Sequence, residues 1–169
     1  MEYQLEVLTQ TPAVMDALLR GKSSVWLNSR KTEKSFSAVD VVGHLILADL
    51  TDWLPRIRTI LEHQDKKPFD PFDRFAFQPI IAGKPLEALL DEFAVLRRRS
   101  LETLQNLAIS EQQMDLPGLH PDLGPVTLRN LIATWVVHDL GHIAQVVKAM
   151  ASECRDAVGP WRAYLTILD

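Results

Sequence analysis

From Val41 to Leu61 the apolar residues Val41, Val42, Leu45, Ile46, Leu50, Trp53, Leu54, Ile57, Ile60 and Leu61 recur at mixed spacings of three and four. That period puts them along one side of a helix. Leu86, Leu89, Leu90, Phe93, Leu96, Leu101 and Leu104 repeat it later, and the chain reads as helical almost throughout. Thr11 followed by Pro12 has the form of an N-cap and first helical position, with Gly21 closing helix one. Ser37-Ala38-Val39-Asp40 has the form of a capping box, so helix two runs from about 38 to the low 60s. Pro55 lies inside it, cannot donate to the carbonyl of Thr51, and is expected to kink it or end its regular part. Pro85 opens helix three, which fades near Ala108. Thr127 caps helix four, which extends to about Ser152.

Two stretches interrupt this pattern. Residues 64 to 83 hold Pro68, Pro71, Pro79 and Gly83 among four phenylalanines and form a long crossover; residues 117 to 125 form a second break before helix four. A long connection between helices two and three lets them run parallel. The expected fold is therefore all-α, a four-helix bundle with a long crossover between helices two and three. Gly159-Pro160 begins a short C-terminal helix, read as docking through Trp161, Tyr164 and Leu165, with a homodimer interface as the alternative use of that segment. With 169 residues, 47% of them hydrophobic, and no repeat or linker, residues 1–169 read as a single helical domain.

The formal net charge is −4 and only Arg97, Arg98 and Arg99 form a basic run, so nucleic acid is not an expected partner. The start, Met1-Glu2-Tyr3-Gln4, lacks a basic region followed by an apolar one, and no stretch reaches the roughly 18 apolar residues a membrane span needs. Neither a leader nor a membrane partner is expected. Cys154 is the only cysteine. It cannot form an internal disulfide or a Cys-rich metal site, and a reducing, cytoplasmic setting fits.

The chemistry lies in three histidines. His138 and His142 are four apart on helix four, stacked on one face roughly 6 Å apart along the axis, and His44 comes from helix two. Two buried imidazoles side by side each need a partner, and a shared cation provides one. Three neutral imidazoles leave a tetrahedral ion one open position, the arrangement of a catalytic site. Counting about 100° per residue from His138, Leu131, Thr134, His142, Gln145 and Ala149 all fall within roughly 40°, facing the bundle interior. Gln145 is placed to hydrogen-bond a histidine's second nitrogen, water or a substrate, or to be a satisfied interior amide. Gly141, costing about 1 kcal/mol in mid-helix relative to alanine, suggests a close approach.

Other candidates are weaker. Trp135, one turn before His138, packs beside the pocket, either in the core or stacked on substrate. Asp73 and Arg74, in the aromatic crossover, could reach the site mouth or form a solvent-facing ion pair. His63, near the end of helix two, favours its C-terminus, and His120 sits in a turn. His138-Asp139-Leu140-Gly141-His142 matches the spacing of the zinc-protease motif, but aspartate replaces the glutamate base and the extended-motif ligand position is Lys148, so the protease reading is rejected. Asp139 points about 100° from His138 and is expected in a surface or interhelix salt bridge, with support of a ligand or of a bound water as the alternative.

With these residues placed, the sequence resembles the DinB/YfiT-like family of bacterial metalloenzymes over nearly its whole length. Ser37-Ala38-Val39-Asp40-Val41-Val42-Gly43-His44-Leu45-Ile46 is similar to that family's first-ligand segment, and Val137-His138-Asp139-Leu140-Gly141-His142-Ile143-Ala144-Gln145 to its H-x3-H-x2-Q segment. The resemblance implies that His44, His138 and His142 bind a divalent metal, with Gln145 as the associated polar residue. Three imidazoles suit zinc or nickel, with iron and manganese as alternatives. Many members carry a further histidine where this chain has Gly141. The family's relatives include enzymes using low-molecular-weight thiols and hydrolases. Two mechanisms follow for a small-molecule substrate. Either the ion activates a thiol cofactor for transfer or isomerisation, or it activates water for hydrolysis. A non-catalytic metal- or small-molecule-binding bundle is the alternative.

Overall fold

A computed structural model describes residues 2–32 and 35–169; Met1, part of the N-terminal stretch considered above, lies outside them. Among the described residues the helices are α1 (Glu2–Leu19), α2 (Ser24–Leu27), α3 (Ala38–Thr51), α4 (Trp53–His63), α5 (Gln78–Ile81), α6 (Leu86–Asn106) and α7 (Leu128–Ser152). Two short strands, β1 (Pro117–His120) and β2 (Gly124–Thr127), form a hairpin.

The bundle consists of α1, the pair α3–α4, α6 and α7, and its core shows which way each helix runs. One apolar cluster joins Met15 and Leu19 at the end of α1, Val41 to Leu47 of α3, Leu86 to Phe93 at the start of α6 and Val146 late in α7. A second joins Leu8 early in α1, Ile57 and Ile60 of α4, Leu101 and Leu104 late in α6, and Leu128 to Trp135 at the start of α7. Thus α3–α4 and α6 run parallel, opposite to α1 and α7. This is the predicted bundle with one long crossover, residues 64–85. The central helix α3 is buried on nearly every side, as expected of an apolar run without a polar face.

Local chemistry explains the boundaries. Ser37 and Asp40 form the predicted capping box at α3, and Thr127 with Asn130 forms another at α7, each satisfying donors that the first helical turn leaves free. The break expected at Pro55 lies at Asp52, whose φ and ψ are −112° and −65°. Pro55 then sits in the first turn of α4, where a missing N–H costs little, and the break brings Asp52 and Trp53 to the wall of the cavity described below.

Three expectations are corrected. Helix one begins at Glu2, not at Thr11, and Pro12 lies inside it; Thr11 is buried and its hydroxyl donates to the Val7 carbonyl (3.3 Å) instead of capping. The second break is a β-hairpin with Pro117 opposite Thr127 and His120 opposite Gly124. The crossover joins its edge, where the Phe69 N–H donates to the Leu119 carbonyl (3.0 Å). Gly118 allows this, because a Cβ there would meet Ile60 at 2.7 Å and Phe69 at 3.1 Å. Lastly, the C-terminal segment forms 3-10 turns at Gly159–Tyr164 and Thr166–Leu168. Trp161 and Tyr164 are exposed and Leu168 is the buried anchor.

Candidate metal centre

His44 is buried in the middle of α3, and His138 and His142 sit one turn apart on α7. Gly43 permits close packing over His44: a Cβ there would collide with Ile81 of α5 and lie 3.1 Å from Phe77. Phe36, Phe72 and Phe77 pack around the His44 ring with centroids 5.5, 5.6 and 6.4 Å away.

The three rings turn the same nitrogen inward. His138 Nε2 lies 3.1 Å from His44 Nε2 and 3.1 Å from His142 Nε2. The outward nitrogens face oxygens. His44 Nδ1–H donates to the Arg74 carbonyl (3.4 Å), and His142 Nδ1–H to the Gln145 side-chain oxygen (3.0 Å). His138 Nδ1 has an Asp139 carboxylate oxygen at 3.6 Å and no hydrogen bond, although it is buried. With protons on Nδ1, three Nε2 lone pairs converge without a proton between them. That arrangement is repulsive unless a cation is shared. Two nitrogens each about 2.0–2.1 Å from one ion lie roughly 3.0–3.4 Å apart, so the spacing fits a divalent ion.

The electrostatics agree. Burial, then the neighbouring His138, lowers the His44 pKa to about 4. Burial, then His138 and His44, lowers that of His142 to about 3. Both rings stay neutral, as metal ligands must be.

The histidines line a cavity of about 430 Å³. Phe36, Trp53, Phe69 and Phe72 supply apolar walls, and Asp52, Arg56, Arg74, Asn130 and Thr134 supply polar ones. Asp52 and Arg56 are paired at 2.6 Å, and burial raises the Asp52 carboxyl above its ordinary range. The Arg74 guanidinium lies over Phe36 and Phe75, 5.1 and 5.0 Å from their centroids.

Gln145 and, of the weaker candidates, Arg74 line this cavity. Asp73 does not: its carboxylate accepts the N–H of Phe75 (2.9 Å) and so shapes the turn. Trp135 is fully buried in the core, stacked on Trp53 with planes 10° apart; Trp53 occupies the cavity wall instead. Gly141 is exposed with nothing within 4 Å of an added Cβ, so no close approach explains it. His120, read as a turn residue, lines the cavity, and its Nδ1 accepts the N–H groups of Asp122 and Leu123 at 3.1 and 3.2 Å.

Sequence reasoning missed a buried ion cluster behind the site. Arg97 of α6 donates to Asp49 of α3 (Nε to Oδ2, 2.9 Å), to Asp139 of α7, and to the Leu8 carbonyl of α1 (3.2 Å). Asp139 is thus in an interhelix salt bridge, as expected, but a buried one. Burial raises the Asp49 pKa to about 6. Burial also opposes ionisation of Asp139, but the His138 ring and the Arg97 guanidinium outweigh it and hold that pKa low. A signal existed: Arg97 falls on the apolar stripe of its helix, four residues from both Phe93 and Leu101.

No helix among the described residues is long and apolar enough to cross a membrane. No curated protein matches the sequence. Among solved structures the fold is similar to YfiT from Bacillus subtilis, described as a probable metal-dependent hydrolase with an unusual four-helix bundle topology. The TM-score is 0.74 at 21% identity, covering 92% of this chain and 86% of that one. Residues 8–146 match the sequence profile of the DinB superfamily, and by that match over most of its length the chain belongs to the DinB superfamily.

Proposed function

We propose that this protein is a divalent-metal-dependent hydrolase acting on a small molecule, with zinc or nickel held by His44, His138 and His142. The observation that carries this reading is the convergence of three Nε2 atoms on a cavity, with an oxygen facing each Nδ1. The ion that these three residues would hold would supply Lewis-acid chemistry, making water a better nucleophile towards a scissile carbonyl.

The chain's own residues do the rest. Gln145 and the Arg74 carbonyl fix the orientation of two rings, and the phenylalanines exclude bulk water from one side of the cavity. Asp52, its pKa raised by burial, is the carboxylate within the cavity suited to take and return a proton. The apolar walls and the polar groups set among them suit a small amphiphilic substrate.

The test is turnover of a panel of small esters, amides and lactones by metal-loaded protein, with low-molecular-weight thiols added in a parallel series. Metal-dependent hydrolysis lost in His142→Ala is the expected result. Turnover that appears only with a thiol would replace hydrolysis by thiol transfer, and a silent panel with stoichiometric metal would favour a binding protein.

A further inference from the structure

Two carboxylates share one guanidinium in the middle of this bundle. Asp49 and Asp139 have side chains with no exposure and that of Arg97 is 1% exposed, so the cluster carries one surplus negative charge away from water. Burying unbalanced charge is strongly unfavourable unless an opposite charge lies near. Among the described residues, Arg97 is the only cation in the cluster's ion pairs.

The surplus charge adjoins the histidine site. Asp139 Oδ1 lies 3.6 Å from His138 Nδ1, a buried nitrogen with no other partner. Arg97 donates to both oxygens of Asp139, including the Oδ1 that faces His138, and also reaches Asp49 and the Leu8 carbonyl. Arg97 itself is clamped between the Phe93 and Trp135 rings, 5.0 and 5.2 Å from their centroids. A carboxylate behind a ligating imidazole fixes its orientation and makes it a better donor.

Resting on the reading that the three histidines hold a divalent ion, we infer that Arg97 and Asp139 are positioning residues for that ion. Arg97 holds Asp139 against His138, and the cluster's surplus negative charge is the counter-charge of the ion. The chain Arg97–Asp139–His138 would therefore make metal binding depend on α6, a helix that supplies no ligand.

Comparing two isosteric substitutions tests this. Asp139→Asn and Asp49→Asn each remove one negative charge from the same guanidinium, but only the first touches His138. Metal affinity is read by competition with a chromogenic chelator, and the site itself by the visible spectrum of the cobalt-loaded protein. Asp139→Asn is expected to weaken binding about 10–100-fold and shift the cobalt bands. Asp49→Asn should weaken it several-fold at most and leave the bands in place. Adding Arg97→Lys to Asp139→Asn should give no further loss of affinity, since Arg97 acts through Asp139. Equal losses in the two single variants would show a cluster that only ties the helices, and wild-type affinity in Asp139→Asn would overturn the inference outright. Both outcomes presuppose that the wild type binds stoichiometric metal; its failure to do so would sink the proposed function, a separate result.

Discussion

Arg97 Nη1 donates to the carbonyl of Leu8 at 3.2 Å, the oxygen that Pro12, four residues on, has no N–H to bond. A proline inside a helix normally costs about 3 kcal/mol. Here the carbonyl it frees becomes an acceptor for a buried cation that already holds two carboxylates on other helices. One guanidinium thus joins all four helices of the bundle.

Removing that guanidinium leaves two carboxylates buried without a counter-charge. Arg97→Met is expected to destabilise the metal-free protein by about 3–5 kcal/mol, the usual cost of breaking a buried ion pair from one side. Urea unfolding followed by circular dichroism measures it. A loss below about 1 kcal/mol would mean that the carboxylates take up protons or reach water without cost.

The two mid-helix glycines should behave oppositely. Gly141→Ala adds a methyl group to open space on α7 and should stabilise the protein by about 0.5–1 kcal/mol, leaving metal content unchanged. Gly43→Ala drives a methyl group into Ile81 and Phe77 and should cost about 1–3 kcal/mol, loosening α5 over His44. Thermal unfolding of the two variants side by side decides this; a stabilised Gly43→Ala would show that α5 yields freely.

Much of this architecture was legible from residue spacing. The i, i+4 histidine pair, His44 and the caps at Ser37 and Thr127 depend on local geometry, which sequence carries directly. Arg97 was not, because its partners come from three other helices and depend on how these pack; as one of the basic run Arg97-Arg98-Arg99 it drew no structural expectation despite its place on the apolar stripe. The start of α1 was misplaced for the same reason. Thr11-Pro12 has the chemistry of a cap, and only the tertiary bond from Arg97 to Leu8 shows why a proline is tolerated there. The hairpin at Pro117–Thr127 was hidden because its short strands lack clear alternation and lean on the crossover at Phe69. Trp135 and Trp53 lie on different helices, so spacing alone could not tell which of the stacked pair lines the cavity.

Proton release on metal binding tests the electrostatics. The His44 and His142 pKa values, about 4 and 3, lie below the ordinary 6.5. Stability that depends on their neutral forms is therefore present above pH 6.5 and is lost as pH falls towards 4 and 3. At pH 5.5 both are already neutral, so the three rings together should release at most one proton per ion. Calorimetry in two buffers of different ionisation enthalpy gives that number, measured in Asp49→Asn/Asp52→Asn so that the two carboxyls raised by burial do not contribute. Release of two or more protons in that variant would show these rings charged at pH 5.5 and the burial argument wrong.

Gln145 accepts from His142 without being placed as a ligand. Gln145→Leu removes the acceptor and leaves the three inward nitrogens, so stoichiometry should remain near wild type while affinity falls about tenfold or more. Chelator competition measures both quantities; loss of stoichiometric metal would make Gln145 a ligand in its own right.

Metal content per chain, by elemental analysis after dialysis against trace divalent metal, tests the central claim most directly when wild type is compared with His44→Ala, His138→Ala and His142→Ala. The expected result is about one equivalent in the wild type and almost none in each variant, because two imidazoles hold a divalent ion far more weakly than three. Wild-type metal content in any two of the three variants would contradict the three-histidine site.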